Sequence, residues 1–240
     1  MNRNIWIQQK QIDSIYTCPN CNSGILKLYL INKEITESGR FYEKQNNYPN
    51  GIEHLFSAIL KCNTCNEITT TIGRIIEDNQ EYKEMEDGSY EVEYVNYYEP
   101  KFFFPNLKIF PLDDKIPRLV REQIDLSFAN FFHDSSSCAN RVRNAIELIL
   151  DDIKVDGRIL GNRIKKAVEI DKVDKEIGEL LLAIKHVGNQ GSHGVLETSD
   201  ILDIYQILHE LLDRLYIKDR INVLDIANQI NSIGKPRTKK

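Results

Sequence analysis

The sequence has no apolar run approaching the roughly 20 residues that cross a membrane as a helix. Its opening, Met-Asn-Arg-Asn-Ile-Trp-Ile-Gln-Gln-Lys, turns polar before an apolar stretch of signal-peptide length can form. Both absences predict a cytoplasmic protein with no membrane segment. Also missing are a phosphate-cradling glycine loop, a dinucleotide fingerprint, a serine nucleophile elbow and a metal-binding carboxylate cluster, which excludes the ordinary metabolic enzyme classes. There is no internal repeat and no low-complexity tract. Excess positive charge is lacking as well: the formal net charge is −5. Indiscriminate nucleic-acid binding rests on neutralising phosphates with Lys and Arg, so any contact with RNA or DNA must be local.

What the chain does have is a globular composition, 41% hydrophobic and 28% charged over 240 residues, enough for one large domain or two modest ones. Four of its five cysteines form two Cys-x-x-Cys pairs, and Cys138 stands alone. That usage suits metal binding in a reducing compartment better than a disulfide framework. The acidity is uneven. Residues 1–105 hold 10 basic and 15 acidic side chains, whereas residues 106–240 are balanced.

Residues 1–105 read as β-rich. Gly24–Ile31 and Leu55–Lys61 flank the cysteine pairs, Ile68–Ile76 is β-branched, and Tyr90–Tyr97 alternates apolar with polar. Glu77–Gly88 reads as an exposed acidic hairpin loop. Pro100, Pro105, Pro111 and Pro117 then mark an extended linker, because proline removes a donor and disfavours helix just before it. Beyond Pro117 the apolar spacing becomes helical. It predicts one helix over Leu119–Phe132, a second with Cys138, Val142, Ala145, Ile146, Ile149 and Ile153 inward, and a third over Ile159–Ile170. A fourth follows over Asp174–Val187, a fifth carries Ile201 to Leu215 behind Thr198 or Ser199 as cap, and residues 220–233 could add a last. The fold class expected is α+β: a β-rich zinc-ribbon domain over 1–105, an all-α bundle over 106–235, and a basic tail over 236–240.

Cys18-Pro-Asn-Cys21 and Cys62-Asn-Thr-Cys65 are two knuckle-like turns. A two-residue gap lets both sulfurs of a pair face one ion, and two pairs supply the closed tetrahedral thiolate set of a structural Zn²⁺ site. A redox dithiol and an iron–sulfur cluster are the competing readings. With four protein ligands, no position remains for a catalytic water. Cys138, on an apolar helical face, reads as core.

The succession Ala139-Asn-Arg-Val-Arg143-Asn-Ala-Ile-Glu147, Leu160-Gly-Asn-Arg-Ile-Lys and Ile184-Lys-His-Val-Gly188-Asn189-Gln-Gly-Ser-His193-Gly194 resembles the family called domain of unknown function 4145 over about residues 105–215. That family pairs an Arg-x-x-x-Glu helix with a helix ending in Arg-x-x-Gly-Asn-x-x-x-His. The resemblance implies a HEPN-like helical bundle that dimerises, serves prokaryotic defence systems and in some members is a metal-independent ribonuclease. An N-terminal zinc ribbon fits the arrangement. If the fourth helix runs on past Gly188, Lys185, Asn189 and His193 share one face at i, i+4 and i+8. His193 could shuttle a proton while Lys185 or Arg143 holds phosphate charge. This sequence departs from active HEPN ribonucleases, though: their arginine is followed by four to six residues and then the histidine, and the positions that spacing allows, His186 to Gly188, hold none. The arginine position of the family motif is Lys185, and lysine lacks the bidentate fork that suits phosphate.

Each of these residues also has a structural role open to it. Asn189 can cap a helix, His193 can make a buried hydrogen bond, and Arg143 with Glu147 can form an i, i+4 surface pair. His54, His133 and His209 have no ligand spacing. Lys101-Phe-Phe-Phe-Pro suits core or an interdomain seam better than a base-stacking platform. The function expected is a non-catalytic dimeric module that binds a partner or senses nucleic acid. The alternatives are a ribonuclease using His193, and a scaffold whose ribbon recruits a protein or RNA partner.

Overall fold

The computed structural model describes residues 3–6, 11–45, 52–85, 89–190, 196–217 and 230–232. An antiparallel sheet in the order β1-β2-β3-β4 is built from Leu26–Ile35, Ile52–Cys62, Ile68–Glu84 and Tyr90–Phe104, with α1 at Glu37–Gln45 between the first two strands. Five helices follow: α2 at Arg118–Asn130, α3 at Ser135–Asp152, α4 at Leu160–Glu169, α5 at Lys175–Gln190 and α6 at Thr198–Leu212. The arrangement is α+β, as the change of apolar period predicts. No helix among the described residues is long and apolar enough to cross a membrane.

Two expectations about the sheet are corrected. Of the acidic stretch Glu77–Gly88, Glu77–Glu84 do not form a loop, because β3 continues to Glu84 and pairs with β4 in register, Tyr82 opposite Val92 and Lys83 opposite Glu91; 86–88 lie outside the described residues. A two-stranded ribbon tolerates polar residues, and Tyr82, Tyr90, Val92 and Tyr94 favour extended backbone. Pro100 is not in the linker either. It lies inside β4 opposite Gly73, where the register shifts between Ile72 and Gly73. A bulge on an edge strand is a position where a missing N–H does little harm. The helix α1, short and polar, gave no apolar period to detect.

One face of the sheet is covered. Phe56, Ala58, Leu60, Ile75 and Phe103 are buried on it. An aromatic seam joins this face to the helices: Phe103 packs on Phe132 at 4.9 Å between ring centroids, Tyr16 on Phe103 at 5.1 Å, and Trp6 on Phe131 at 6.0 Å. The middle residue of the Phe-Phe-Phe run is therefore seam.

In the bundle, α3 buries Cys138, Ala139, Val142, Ala145, Ile146, Ile149 and Leu150, nearly the stripe that its spacing predicts. Asp134 starts this helix by accepting from the Ser137 N–H at 2.8 Å, and Asp174 does the same for α5 with Ile177. At α6 the cap is Glu197, one residue before the expected Thr198, with Asp200 completing a reciprocal capping box. Of the last predicted helix only 230–232 are described, and they are helical.

Candidate metal centre and the helical cluster

The sheet brings its two cysteine pairs together because one knuckle leads into β1 and the other joins β2 to β3. The Sγ atoms of Cys18, Cys21, Cys62 and Cys65 lie within 4.8 Å of one another. Cys18 Sγ is 3.7 Å from Cys65 Sγ, and Cys21 Sγ is 3.7 Å from Cys62 Sγ. Four sulfurs at about 2.3 Å from a central ion sit about 3.8 Å apart in a regular tetrahedron, so the spacing could hold a metal ion and is compatible with zinc.

The two turns repeat each other. Asn22 and Asn66, each directly after the second cysteine of its pair, take left-handed backbone with φ of 54° and 61°, and each donates its N–H to the carbonyl of the first cysteine. Asparagine tolerates that conformation, and the Cys-x-x-Cys-Asn repeat is its signature in the sequence. Gly24 sits where a Cβ would lie 2.3 Å from Cys62 Sγ, so only glycine lets the first knuckle close on the second. Asn63 ties the turns together, accepting from the Ile25 N–H at 2.9 Å and donating its own N–H to the Ile25 carbonyl at 3.0 Å.

Backbone amides prepare the sulfurs for negative charge. Cys62 Sγ accepts from the N–H groups of Thr64 and Cys65, and Cys21 Sγ from Gly24. Hydrogen bonds led by the Ser23 N–H hold the Cys21 thiol down at about 6, and those led by the Cys65 N–H lower Cys62. Burial dominates at Cys18 and pushes it up to about 12. A divalent cation among the four would offset that burial and draw all of them to thiolate.

In the bundle, α5 runs through Gly188 to Gln190, so Lys185 and Asn189 stand one turn apart. Lys185 is half-buried with its stem along α4, 3.3 Å from where a Cβ on Gly161 would be. Asn189 and His186 are exposed. Arg143 approaches α5 at Gly188, whose added Cβ would stand 3.3 Å from Arg143 Cβ. Its Nε lies 3.4 Å from Glu147 Oε1, an ion-pair distance, yet this buried nitrogen has no hydrogen-bond partner. His193 lies outside the described residues.

Two features escaped the sequence reading. Ser127, Cys138 and Tyr205 form a fully buried polar knot, with the tyrosine hydroxyl 2.8 Å from Ser127 Oγ and 2.9 Å from Cys138 Sγ. It joins α2, α3 and α6, and burial raises the Cys138 thiol to about 11, so it is inert core. The helical spacing of Cys138 was visible, but its partners are remote in sequence.

The second feature is the outward face of the sheet, which among the described residues is covered only at its β4 edge, by the end of α2 and His133. Strand register places its outward side chains in rows: Glu34, Leu55, Arg74 and Glu99; then Asn32, Ser57, Ile72 and Phe102; then Leu30, Ile59, Thr70 and Phe104; then Lys27, Lys61 and Ile68. Leu55, Ile72 and Phe104 are 56%, 51% and 78% exposed. A groove of about 510 Å³ crosses all four strands between Glu34 and Phe102. Phe102 also stacks on His133 at 4.2 Å.

Fold and site together define an α+β protein whose sheet module carries a four-cysteine cluster that could hold a metal ion. Residues 127–234 match the family model of a domain of unknown function, DUF4145, and residues 7–103 match that of another, DUF8608. No curated protein and no solved structure matches the chain.

Proposed function

We propose that the chain is a non-catalytic, dimeric interaction module of a prokaryotic defence-type system, in which a zinc-ribbon sheet presents a binding face and a HEPN-like bundle forms its base. The observation that carries this reading is the outward sheet face, where large apolar side chains stand exposed in adjacent rows. Contiguous exposed apolar surface of this kind marks an interaction site. Zn²⁺ held by Cys18, Cys21, Cys62 and Cys65 has its coordination filled and acts as a pin that keeps the face rigid.

The helical residues support the non-catalytic side. Arg143 is engaged with Glu147, the positions of the active pattern's arginine, His186 to Gly188, hold none, and Lys185, at the arginine position of the family motif, lies along α4. The defence context comes from the motif resemblance alone.

The test uses purified full-length protein with single-stranded RNA in the presence of EDTA, beside a direct RNA-binding titration. The reading expects no cleavage above background. Cleavage that disappears in His193→Ala would overturn it in favour of a ribonuclease, and sequence-independent RNA binding lost in Phe102→Ala would turn the face into a nucleic-acid platform.

A further inference from the structure

We infer that the outward sheet face is a self-association surface, covered by the same face of a second copy in a two-fold sandwich. The inference rests on reading that face as an interaction surface, and it names the occupant.

Three observations on the face favour a second copy. First, the two middle rows carry Ile72 and Phe102 in one and Leu30, Ile59 and Phe104 in the other with no charged side chain, while the end rows mix charge with one apolar residue each, Leu55 and Ile68. Second, the charges have opposite sense at the two ends. Lys27 and Lys61 lie at the knuckle end, whereas Glu34, Glu53 and Glu99 lie at the far end, where Arg74 pairs with Glu99 at 2.6 Å and Glu53 at 3.5 Å and Lys101 reaches Glu99 at 3.6 Å. Third, a two-fold axis lying between two such faces, across the strands and between the middle rows, reverses strand direction and sets each strand over its own copy. Lys27 then stands over the partner subunit's Glu34, and Phe102 over the partner subunit's Phe104.

A heterologous protein would need its own matching pattern, but this face already matches itself. The size is adequate. Four strands about 4.8 Å apart and four rows about 6.7 Å apart cover roughly 500 Å² per copy, or about 1,000 Å² in all, the lower edge of specific interfaces. The bundle is a poorer site, since its exposed large apolar residues among those described, Leu119, Leu126, Ile159, Ile170 and Ile230, are dispersed over α2, the ends of α4 and the helical residues 230–232.

Sedimentation velocity of the full-length, zinc-loaded protein over a concentration series tests the inference, with zinc content and circular dichroism as controls for folding. Wild type should be dimeric at about 100 μM, and Phe104→Glu, at an exposed position, should be monomeric there with unchanged zinc content. Lys27→Glu and Glu34→Lys should each weaken the dimer by at least about tenfold, and their combination in one chain should restore it to within about threefold. The inference is overturned by a monomeric wild type at about 100 μM, or by a dimer indifferent to Phe104→Glu. The second result would place the dimer in the bundle and leave the proposed function standing, so the two readings fail separately. Failure of the double charge exchange to rescue would overturn the two-fold register.

Discussion

The sheet module and the helical bundle bury apolar surface in opposite ways. In the bundle, α3 and α6 turn their apolar stripes inward until residues such as Val142, Ile146, Ile204 and Leu208 have essentially no exposure. The sheet covers one face with the aromatic seam and leaves the other in solvent, so it gains about half the burial available to a strand layer. The difference teaches where each part gets its order: the bundle from its own core, the sheet from the aromatic seam on one face and from the proposed metal pin at its knuckle end.

The widest break in that comparison comes from removing the pin. Structural zinc supplies on the order of 10 kcal/mol to small modules that bind it, more than a sheet with one open face holds in reserve. Chelation, or Cys62→Ser, should therefore abolish amide protection across Leu26–Ile35 and Ile52–Cys62, while α3 and α6 keep theirs. Hydrogen exchange read by mass spectrometry checks this directly. A sheet that stays protected without metal would make the aromatic seam its real support and remove the contrast.

How much of this was legible in the sequence follows from the same contrast. Helical spacing announced α3 almost residue by residue, because a 3.6-residue period reports one buried stripe. The four-cysteine cluster was legible too, since the Cys-x-x-Cys turns carry their geometry locally. The outward face was not: Leu55, Ile72 and Phe102 come from three strands, and only the register brings them together. Likewise, the Ser127–Cys138–Tyr205 knot spans 78 residues between Ser127 and Tyr205. The acidic ribbon was misread because charge suggested a loop where strand pairing, a long-range property, decided otherwise. His193 lies outside the described residues, so that part of the candidate site stands as the sequence left it.

Acid offers a graded version of the first experiment. Metal binding needs four thiolates, and Cys18, raised to about 12 by burial, gives up its proton only when the cation arrives. Binding therefore releases protons, and affinity falls as pH falls. Cys21, held near 6, contributes stability above its ordinary thiol range that is lost as pH drops through about 6. Titrating from pH 7.5 to about 5 should release zinc, read with a colorimetric chelator, and melt the sheet before the bundle. Simultaneous loss of both would mean that the seam couples them into one cooperative unit.

The smallest effect is expected in the bundle, at the residue pair most suggestive of chemistry. Arg143 and Glu147 are more than a third exposed, with side-chain values of 37% and 41%, and their 3.4 Å contact lacks hydrogen-bond alignment. Solvent screening leaves such a pair about 0.5 kcal/mol or less. Arg143→Gln should thus barely move the urea midpoint, whereas Ile146→Ala, three residues along the same helix and fully buried, should cost about 2–5 kcal/mol. A loss at Arg143 approaching that of Ile146 would show that the arginine stem packed at Gly188 joins α3 to α5. In that case the Arg-x-x-x-Glu element of this chain is a helix-packing device, and its place beside Gly188 of α5 needs no phosphate to explain it.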